Sequence, residues 1–117
     1  MQYLLLIYSN ESEMAGMDQA ALSKQAQQYI ELTKSIVQSG HFKAGDRLKP
    51  VATATTVRVR GGKTVTTDGP FAETREQLGG YYLIEAKDLD EAIGIAARLP
   101  TAKYGSIEVR PIWQMNP

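Results

Sequence analysis

The segment YLLLIY at residues 3–8 is an unbroken run of apolar and aromatic side chains, and the turn-forming pair Ser9-Asn10 follows it directly. A short apolar run that ends at a turn signal is typical of a strand in the centre of a sheet or covered on both faces. A second run of the same character, LGGYYLI, occupies residues 78–84. The sequence therefore predicts two central strands.

Two segments show the spacing of amphipathic helices. The first is predicted over about residues 18–39, because apolar side chains recur there at three- and four-residue steps between a capping Asp18 and a terminating Gly40. The second begins after Asp88, which is followed three residues later by a glutamate as in a capping box, and it ends at Leu99. Each helix has one apolar face to pack on a sheet.

A β-hairpin is predicted where TTVRVR at residues 55–60 and KTVTT at residues 63–67 flank Gly61-Gly62. Two glycines tolerate the positive φ angles of a tight hairpin turn. Alternation places Val57 and Val59 on one side of the hairpin, and Val65 is a candidate for the same side. Arg58 and Arg60 lie on the other side.

Residues 41–48 fit a short or edge strand, and residues 106–112 alternate as a half-buried strand does. The order is strand, helix, strand with an appended hairpin, strand, helix, strand. This order predicts a ferredoxin-like α+β fold, in which an antiparallel sheet carries two helices on one face, as a single domain over residues 1–117. Because apolar residues such as Leu4 and Leu6 leave neither sheet face clearly polar, we expect two chains to pack sheet against sheet as a homodimer.

The composition excludes several functional classes. The chain has 117 residues, of which 13 are basic and 13 acidic, so no broad basic surface for nucleic acid or an anionic membrane is expected. The absence of cysteine and the single histidine, His41, argue against thiolate and multi-histidine metal sites, and no glycine pattern resembles a nucleotide-binding loop. We expect no metal and no cofactor. Without a run of roughly 20 apolar residues or a signal peptide, we expect a cytoplasmic protein.

The turn DGPF at residues 68–71 is the sharpest local feature of the chain. One interpretation is structural: Asp68 accepts backbone N–H bonds in the turn, and Phe71 packs into the core. The other is functional, with the Asp68 carboxylate at the mouth of a pocket. A carboxylate held by backbone N–H groups stays ionised, which suits a base or a cation partner.

Further candidates surround this turn. Arg75 can grip a carboxylate or phosphate in a bidentate manner beside Glu73, although a solvated charged loop is the alternative. His41 follows the first helix, where it either interacts with the helix C-terminus or acts as an acid or base if a carboxylate comes within reach. Tyr81 and Tyr82 alternate on one strand, so one belongs to the core while the other presents its hydroxyl to a cavity.

The motif DGPFAET at residues 68–74 and the segment EQLGGYYLIE at residues 76–85 closely resemble the YCII-related family, in the branch named for its DGPF motif. The similarity extends upstream through residues 52–58 and downstream through residues 88–92 and 104–111. This resemblance implies a dimeric α+β barrel.

For activity, the resemblance implies less. Shorter relatives carry a histidine on the first helix and an aspartate just before the glycine that ends it, and this pair is proposed as catalytic. Here the matching positions are Tyr29 and Gln38, so the dyad does not carry over. One relative resembles a dehydrochlorinase-type enzyme, and members of the DGPF branch often accompany extracytoplasmic-function sigma factors.

Two functional hypotheses follow. The first is a small-molecule-binding homodimer with a lyase- or isomerase-like acid/base activity at the DGPF turn. The second is a non-catalytic interaction or sensor protein associated with an extracytoplasmic-function sigma factor. In the first hypothesis Asp68 and His41 are catalytic, and the ligand-binding residues are Gly69, Pro70, Phe71, Glu73, Arg75, Tyr81 and Tyr82.

Overall fold

A computed structural model describes residues 1–115. Short 3-10 turns lie at Val51–Thr53 and Pro100–Lys103. The strands and helices, in chain order, are β1 (Gln2–Ser9), α1 (Glu11–Ala15), α2 (Gln19–Gln38), β2 (Phe42–Arg47), β3 (Thr55–Arg60), β4 (Lys63–Asp68), β5 (Gln77–Glu85), α3 (Leu89–Arg98) and β6 (Ser106–Pro111).

The main sheet has four strands in the order β2-β5-β1-β6, and all neighbours are antiparallel. The prediction that β1 and β5 are the central strands is confirmed. Their side chains alternate in burial, which identifies the side covered by helices. The α+β, ferredoxin-like architecture with an appended hairpin is likewise confirmed.

The core lies between this sheet and helices α2 and α3. Leu5, Ile84, Ile36 and Leu99 are its largest fully buried side chains. Burying one such side chain contributes about 1.5–3 kcal/mol relative to leaving it exposed. The remaining buried hydrophobic residues are Tyr3, Ile7, Leu32, Tyr82, Ala86, Ala92, Ile95 and Ala96.

Both predicted helix caps are present. The Asp18 carboxylate accepts the N–H of Ala21 at 2.7 Å, and the Asp88 carboxylate accepts the N–H of Glu91 at 2.9 Å. Each bond satisfies one of the backbone donors that a helix start leaves unpaired. Among residues 1–115, no helix is both long and apolar enough to span a membrane.

The short helix α1 was not predicted. Asn10 caps it by accepting the Glu13 N–H at 3.1 Å, but none of its residues is buried. Because α1 has no apolar face, the periodicity that indicates the two longer helices is missing from its sequence.

The opposite face of the main sheet, here called the open face, carries no helix. Register places Leu4 opposite Leu83 and Leu6 opposite Tyr81 on this face, and all four residues are half-buried. The open face thus has an apolar centre, which is the surface on which the expected homodimer depends.

The hairpin β3–β4 forms a separate two-stranded sheet with Gly61 and Gly62 at positive φ in its turn. The expectation that Val65 joins Val57 and Val59 on one side is wrong. A two-residue turn pairs Arg60 with Lys63, and the same register places Val65 opposite Arg58, on the arginine side.

Gly105 provides a test of the packing between β1 and the segment before β6. A Cβ at this position would overlap the Tyr8 carbonyl oxygen, whereas a Cβ on Gly94 in α3 would meet nothing within 4 Å. We expect Gly105→Ala to lower the free energy of unfolding by about 1–3 kcal/mol through overpacking. Gly94→Ala should raise it by about 0.5–1 kcal/mol, because alanine favours a helix interior. Urea denaturation of both variants checks this, and equal effects would contradict the packing described.

Candidate functional site

The DGPF turn is held by its backbone and by a threonine rather than by its aspartate. The N–H of Gly69, which has a φ of 99°, donates to the Ala54 carbonyl at 2.7 Å, and Thr56 Oγ1 donates to the Gly69 carbonyl at 2.9 Å. Asp68 is the last residue of β4 and is exposed. Within residues 1–115 its carboxylate accepts no hydrogen bond and forms no ion pair, so the fold leaves this group to solvent.

The rest of the turn also faces solvent. Phe71 is 78% exposed, so the interpretation that packs this ring into the core of the chain is wrong. Pro70, Glu73 and Arg75 are exposed as well. Residues 68–75 therefore present a carboxylate, an aromatic ring and a guanidinium along one surface segment.

Helix α1 and its N-cap Asn10 anchor both ends of the chain segment between β2 and β5. Asn10 Nδ2 donates to the Arg75 carbonyl at 3.3 Å, and the Glu11 N–H donates to Gln77 Oε1 at 2.9 Å. The Glu11 carboxylate in turn accepts the Val51 N–H at 3.2 Å. The helix that the sequence did not indicate thus positions the candidate site, and polar residues supply its contacts.

His41 has the carboxylate partner that an acid/base role requires, and this partner is Glu91. His41 Nε2 lies 3.1 Å from Glu91 Oε1, and His41 Nδ1 lies 2.6 Å from Ser39 Oγ. The same Glu91 oxygen accepts the Lys87 N–H at 3.0 Å. This backbone bond first, and then His41, hold the pKa of Glu91 below its ordinary value against the opposing effect of desolvation.

The structure does not bring His41 and Asp68 together within one chain. His41 directly precedes the first residue of β2, while the chain leaves the sheet toward the DGPF turn after Arg47 at the other end. Six residues of strand at about 3.3 Å each separate the two ends by roughly 20 Å. The assignment of either residue to catalysis stays a prediction.

The two neighbouring tyrosines of β5 point to opposite faces of the sheet. Tyr82 lies on the helix side, is 9% exposed and pairs its hydroxyl with Thr33 Oγ1 at 2.6 Å. Tyr81 lies on the open face and donates to Asp46 Oδ2 at 2.6 Å, a bond that raises the pKa of Tyr81. Tyr82 is thus the core residue of the pair, and Tyr81 presents a hydroxyl to the surface where a second chain is expected.

A network of hydroxyl groups surrounds Tyr29 on helix α2. The Tyr29 hydroxyl lies 2.5 Å from Thr101 Oγ1, and Gln25 reaches the Tyr104 hydroxyl. Thr33 Oγ1 donates to the Tyr29 carbonyl at 2.8 Å. Burial raises the pKa of Tyr29, so this position holds a neutral hydroxyl at physiological pH. The four-residue spacing of Tyr29 and Thr33 places both on one helix face and is the only sequence signal for this network. Their hydroxyl partners, Thr101 and Tyr82, lie far along the chain and cannot be inferred from that spacing.

A small cleft lies between α1, the loop that follows it and Tyr104. Its volume is about 180 Å³, and its lining residues are Asn10, Glu13, Met14, Met17 and Tyr104.

The acidic residues near the DGPF turn do not converge: in the part of the chain that the structure describes, no three histidine or carboxylate side chains are grouped to hold a metal ion.

Comparison with known proteins fits this architecture. A model of the YCII-related domain matches residues 1–116. The chain belongs to the YCII-related family. An uncharacterized protein of Rhizobium meliloti (strain 1021) is 40% identical over 124 aligned positions, which cover 100% of this chain and 96% of that protein. The family part of the resemblance is thereby confirmed, while membership of the DGPF branch stays a prediction.

Tyr29→Phe tests whether the hydroxyl network stabilises the fold. Thr101 is 4% exposed, so loss of its short bond to Tyr29 leaves a buried hydroxyl poorly satisfied. We expect the free energy of unfolding to fall by about 1–3 kcal/mol. Tyr8→Phe is the matched control, because the Tyr8 hydroxyl bonds to no residue among 1–115. Equal costs for the two variants in urea denaturation would contradict a role for the network.

Glu91→Gln tests the contact between α3 and His41 through its pH dependence. The folded-state pKa of Glu91 lies below the ordinary value of 4.5, so its stabilisation is complete above that value and is lost as pH falls through the folded pKa. The thermal midpoint of the variant should therefore fall less than that of the wild type between about pH 6 and pH 3. Asp90→Asn, which removes a carboxylate from the same helical turn, controls for the helix dipole. Identical curves for the two variants would contradict a specific Glu91 contact.

Proposed function

We propose that the protein is a homodimer that binds a small organic molecule at the DGPF turn. The observation that carries the proposal is Phe71, whose ring is 78% exposed in a segment with an anchored backbone. A ring that stands in solvent beside a free carboxylate and a guanidinium is available to contact a ligand or a second chain. The free carboxylate of Asp68 lies three residues away, and the exposed Arg75 follows in the same segment.

The chemistry of these groups defines the ligand class. The Arg75 guanidinium binds a carboxylate or phosphate through paired hydrogen bonds, and the Phe71 ring covers an apolar or aromatic surface. The exposed Asp68 carboxylate serves as a base. The proposed ligand is therefore a small aromatic or apolar anion, and the proposed reaction class is proton transfer of the lyase or isomerase type.

The open face supports the homodimer. Leu4, Leu6, Leu83 and Tyr81 form an apolar centre that no helix of the chain covers. Pairing of two such faces would remove these side chains from water. His41 lies at the far end of the sheet from Asp68 in the same chain. It can therefore take part in the proposed proton transfer only if the His41 imidazole of one copy reaches the DGPF turn of the other.

The motif DGPFAET at residues 68–74 is the basis for placing the chain in the DGPF branch as part of this proposal. The association of that branch with extracytoplasmic-function sigma factors makes a non-catalytic partner role the second candidate. It would use Phe71 and the same exposed segment as a protein contact.

Native mass spectrometry of the freshly purified protein tests the proposal. We expect a dimer with reproducible additional mass that is absent from Asp68→Ala and retained in Asp90→Ala, an exposed carboxylate variant outside the turn. Because Asp68 makes no bond to residues 1–115, its replacement should change the free energy of unfolding by less than about 0.5 kcal/mol. Loss of the ligand can then be separated from loss of the fold.

Three results would count against the proposal. Additional mass that persists in Asp68→Ala would place the ligand elsewhere. An empty wild-type dimer would favour the partner role. A wild-type monomer at micromolar concentration would contradict the homodimer itself.

A further inference from the structure

A serine, a histidine and a glutamate are linked by hydrogen bonds where helix α2 ends. Ser39 Oγ lies 2.6 Å from His41 Nδ1, and His41 Nε2 lies 3.1 Å from Glu91 Oε1. A hydroxyl bonded to a base, which is itself oriented by a third group, is the arrangement that activates a serine for acyl transfer. This group of three residues, here called the Ser39 cluster, lies at the opposite end of β2 from the DGPF turn.

The backbone at the end of α2 fixes the serine beside the histidine. Gly40 has a φ of 82°, and its N–H donates to the Val37 carbonyl at 3.1 Å. The His41 N–H donates to the Ile36 carbonyl at 2.9 Å. These two bonds form a Schellman motif, which reverses the chain directly after the C-cap residue Ser39. The main chain therefore brings the His41 ring to the Ser39 hydroxyl.

The glutamate decides which nitrogen of the imidazole carries the proton. A carboxylate only accepts, so Nε2 is the protonated nitrogen of a neutral His41, and Nδ1 is left to accept the Ser39 hydroxyl proton. The Lys87 N–H donates to the same Glu91 oxygen at 3.0 Å and holds it in place. The side chains of His41 and Glu91 are 26% and 29% exposed, so water has limited access to their bond. The neutral imidazole is thus oriented as a base toward the serine.

The surroundings of Ser39 suit both the approach of a substrate and the charges that its attack creates. Ser39 is exposed, so an ester can reach its hydroxyl. The imidazolium that forms when His41 takes the proton lies at the C-terminal end of α2, where the helix dipole stabilises positive charge. Arg98 Nη2 donates to Ser35 Oγ at 2.7 Å, and Ser35 lies one helical turn, roughly 6 Å, before Ser39. Its guanidinium favours negative charge on a substrate bound there.

We propose that Ser39 is a nucleophile that small activated esters acylate, with His41 as its general base and Glu91 as the positioning residue. The Ser39 hydroxyl proton passes to His41 Nδ1 while Oγ bonds to the carbonyl carbon. The tetrahedral intermediate then expels the alcohol, which takes that proton from His41, and the acyl group stays on Ser39 as an ester. Water attacks this ester, and His41 takes a proton from the water and returns it to Ser39 as the carboxylic acid leaves. This inference goes beyond the proposed function, because no step uses Asp68 or a second chain.

The probe that tests the proposal is p-nitrophenyl acetate. We expect a burst of about one p-nitrophenolate per chain, followed by slower turnover, and an acetyl group on Ser39 in the mass spectrum of the digested protein. Ser39→Ala should abolish the burst and keep the fold, because the C-cap has right-handed helical backbone angles that alanine adopts. His41→Gln should slow the burst about 100-fold, the loss expected for a general base. Circular dichroism of each variant reports on folding.

Ser23→Ala is the matched control. Ser23 is an exposed serine of the same helix, about five helical turns before its C-terminal end. The variant removes a hydroxyl that has no imidazole beside it, so its burst should equal that of the wild type.

Glu91→Gln separates a positioning role from a purely structural one. Acylation needs the neutral imidazole, so its rate rises with pH to a plateau. The glutamine removes the negative charge that favours the protonated imidazole, and the pH of half-maximal rate should therefore fall. Lys87, whose charge also acts on Glu91, is unchanged in this comparison. A residue that only stabilised the fold would leave this pH where it is in the wild type.

Several outcomes would overturn the proposal. One is a wild type without a burst, and another is an equal burst in the wild type and Ser39→Ala. Acetyl groups confined to lysines and the N-terminal amine would show ordinary surface acylation instead. An unchanged pH of half-maximal rate in Glu91→Gln would overturn the role of Glu91.

Discussion

The antiparallel pairing of β1 with β5 is the constraint on which the remaining structure depends. Its register sends Tyr82 and Ile84 toward the helices, and Tyr81 and Leu83 toward the open face. A slip of one residue would exchange the two sets, exposing the core and burying the surface hydroxyl. The same pairing fixes where β5 begins, at Gln77, and thereby where α1 can hold the segment that carries the DGPF turn.

The parts of the fold that the sequence predicts are those whose causes are local. A cap such as Asp18 acts on a donor three residues away, and the glycine pair of the hairpin sets its own turn. The bond between His41 and Glu91 joins residues separated by 50 positions, so no local sequence pattern predicts it. Helix α1 is not predicted for a different reason. It is stabilised by polar contacts, so its sequence shows no apolar periodicity.

The candidate site shows the same division. The residue types of DGPF predict a turn. Whether Asp68 caps that turn or stays free is decided by residues earlier in the chain, because Ala54 and Thr56 bond to Gly69 and hold the turn without the aspartate. The residue type of Phe71 predicts burial, because phenylalanine is more often buried than exposed. Its exposure therefore could not be predicted from the sequence. The two candidate catalytic groups, His41 and Asp68, are also separated in space by the length of β2.

The route by which the chain leaves and re-enters the main sheet has a consequence of a different kind. The Leu48 N–H donates to the Gly79 carbonyl at 2.9 Å, so the long excursion between β2 and β5 is closed at its base by a backbone bond between neighbouring strands. This bond ties β2 to β5 at the point where the excursion leaves and re-enters the sheet. Because doubling the length of a closed loop costs only about 0.6 kcal/mol, this base is a natural insertion point, where segments of differing length can be exchanged while the sheet beneath is preserved.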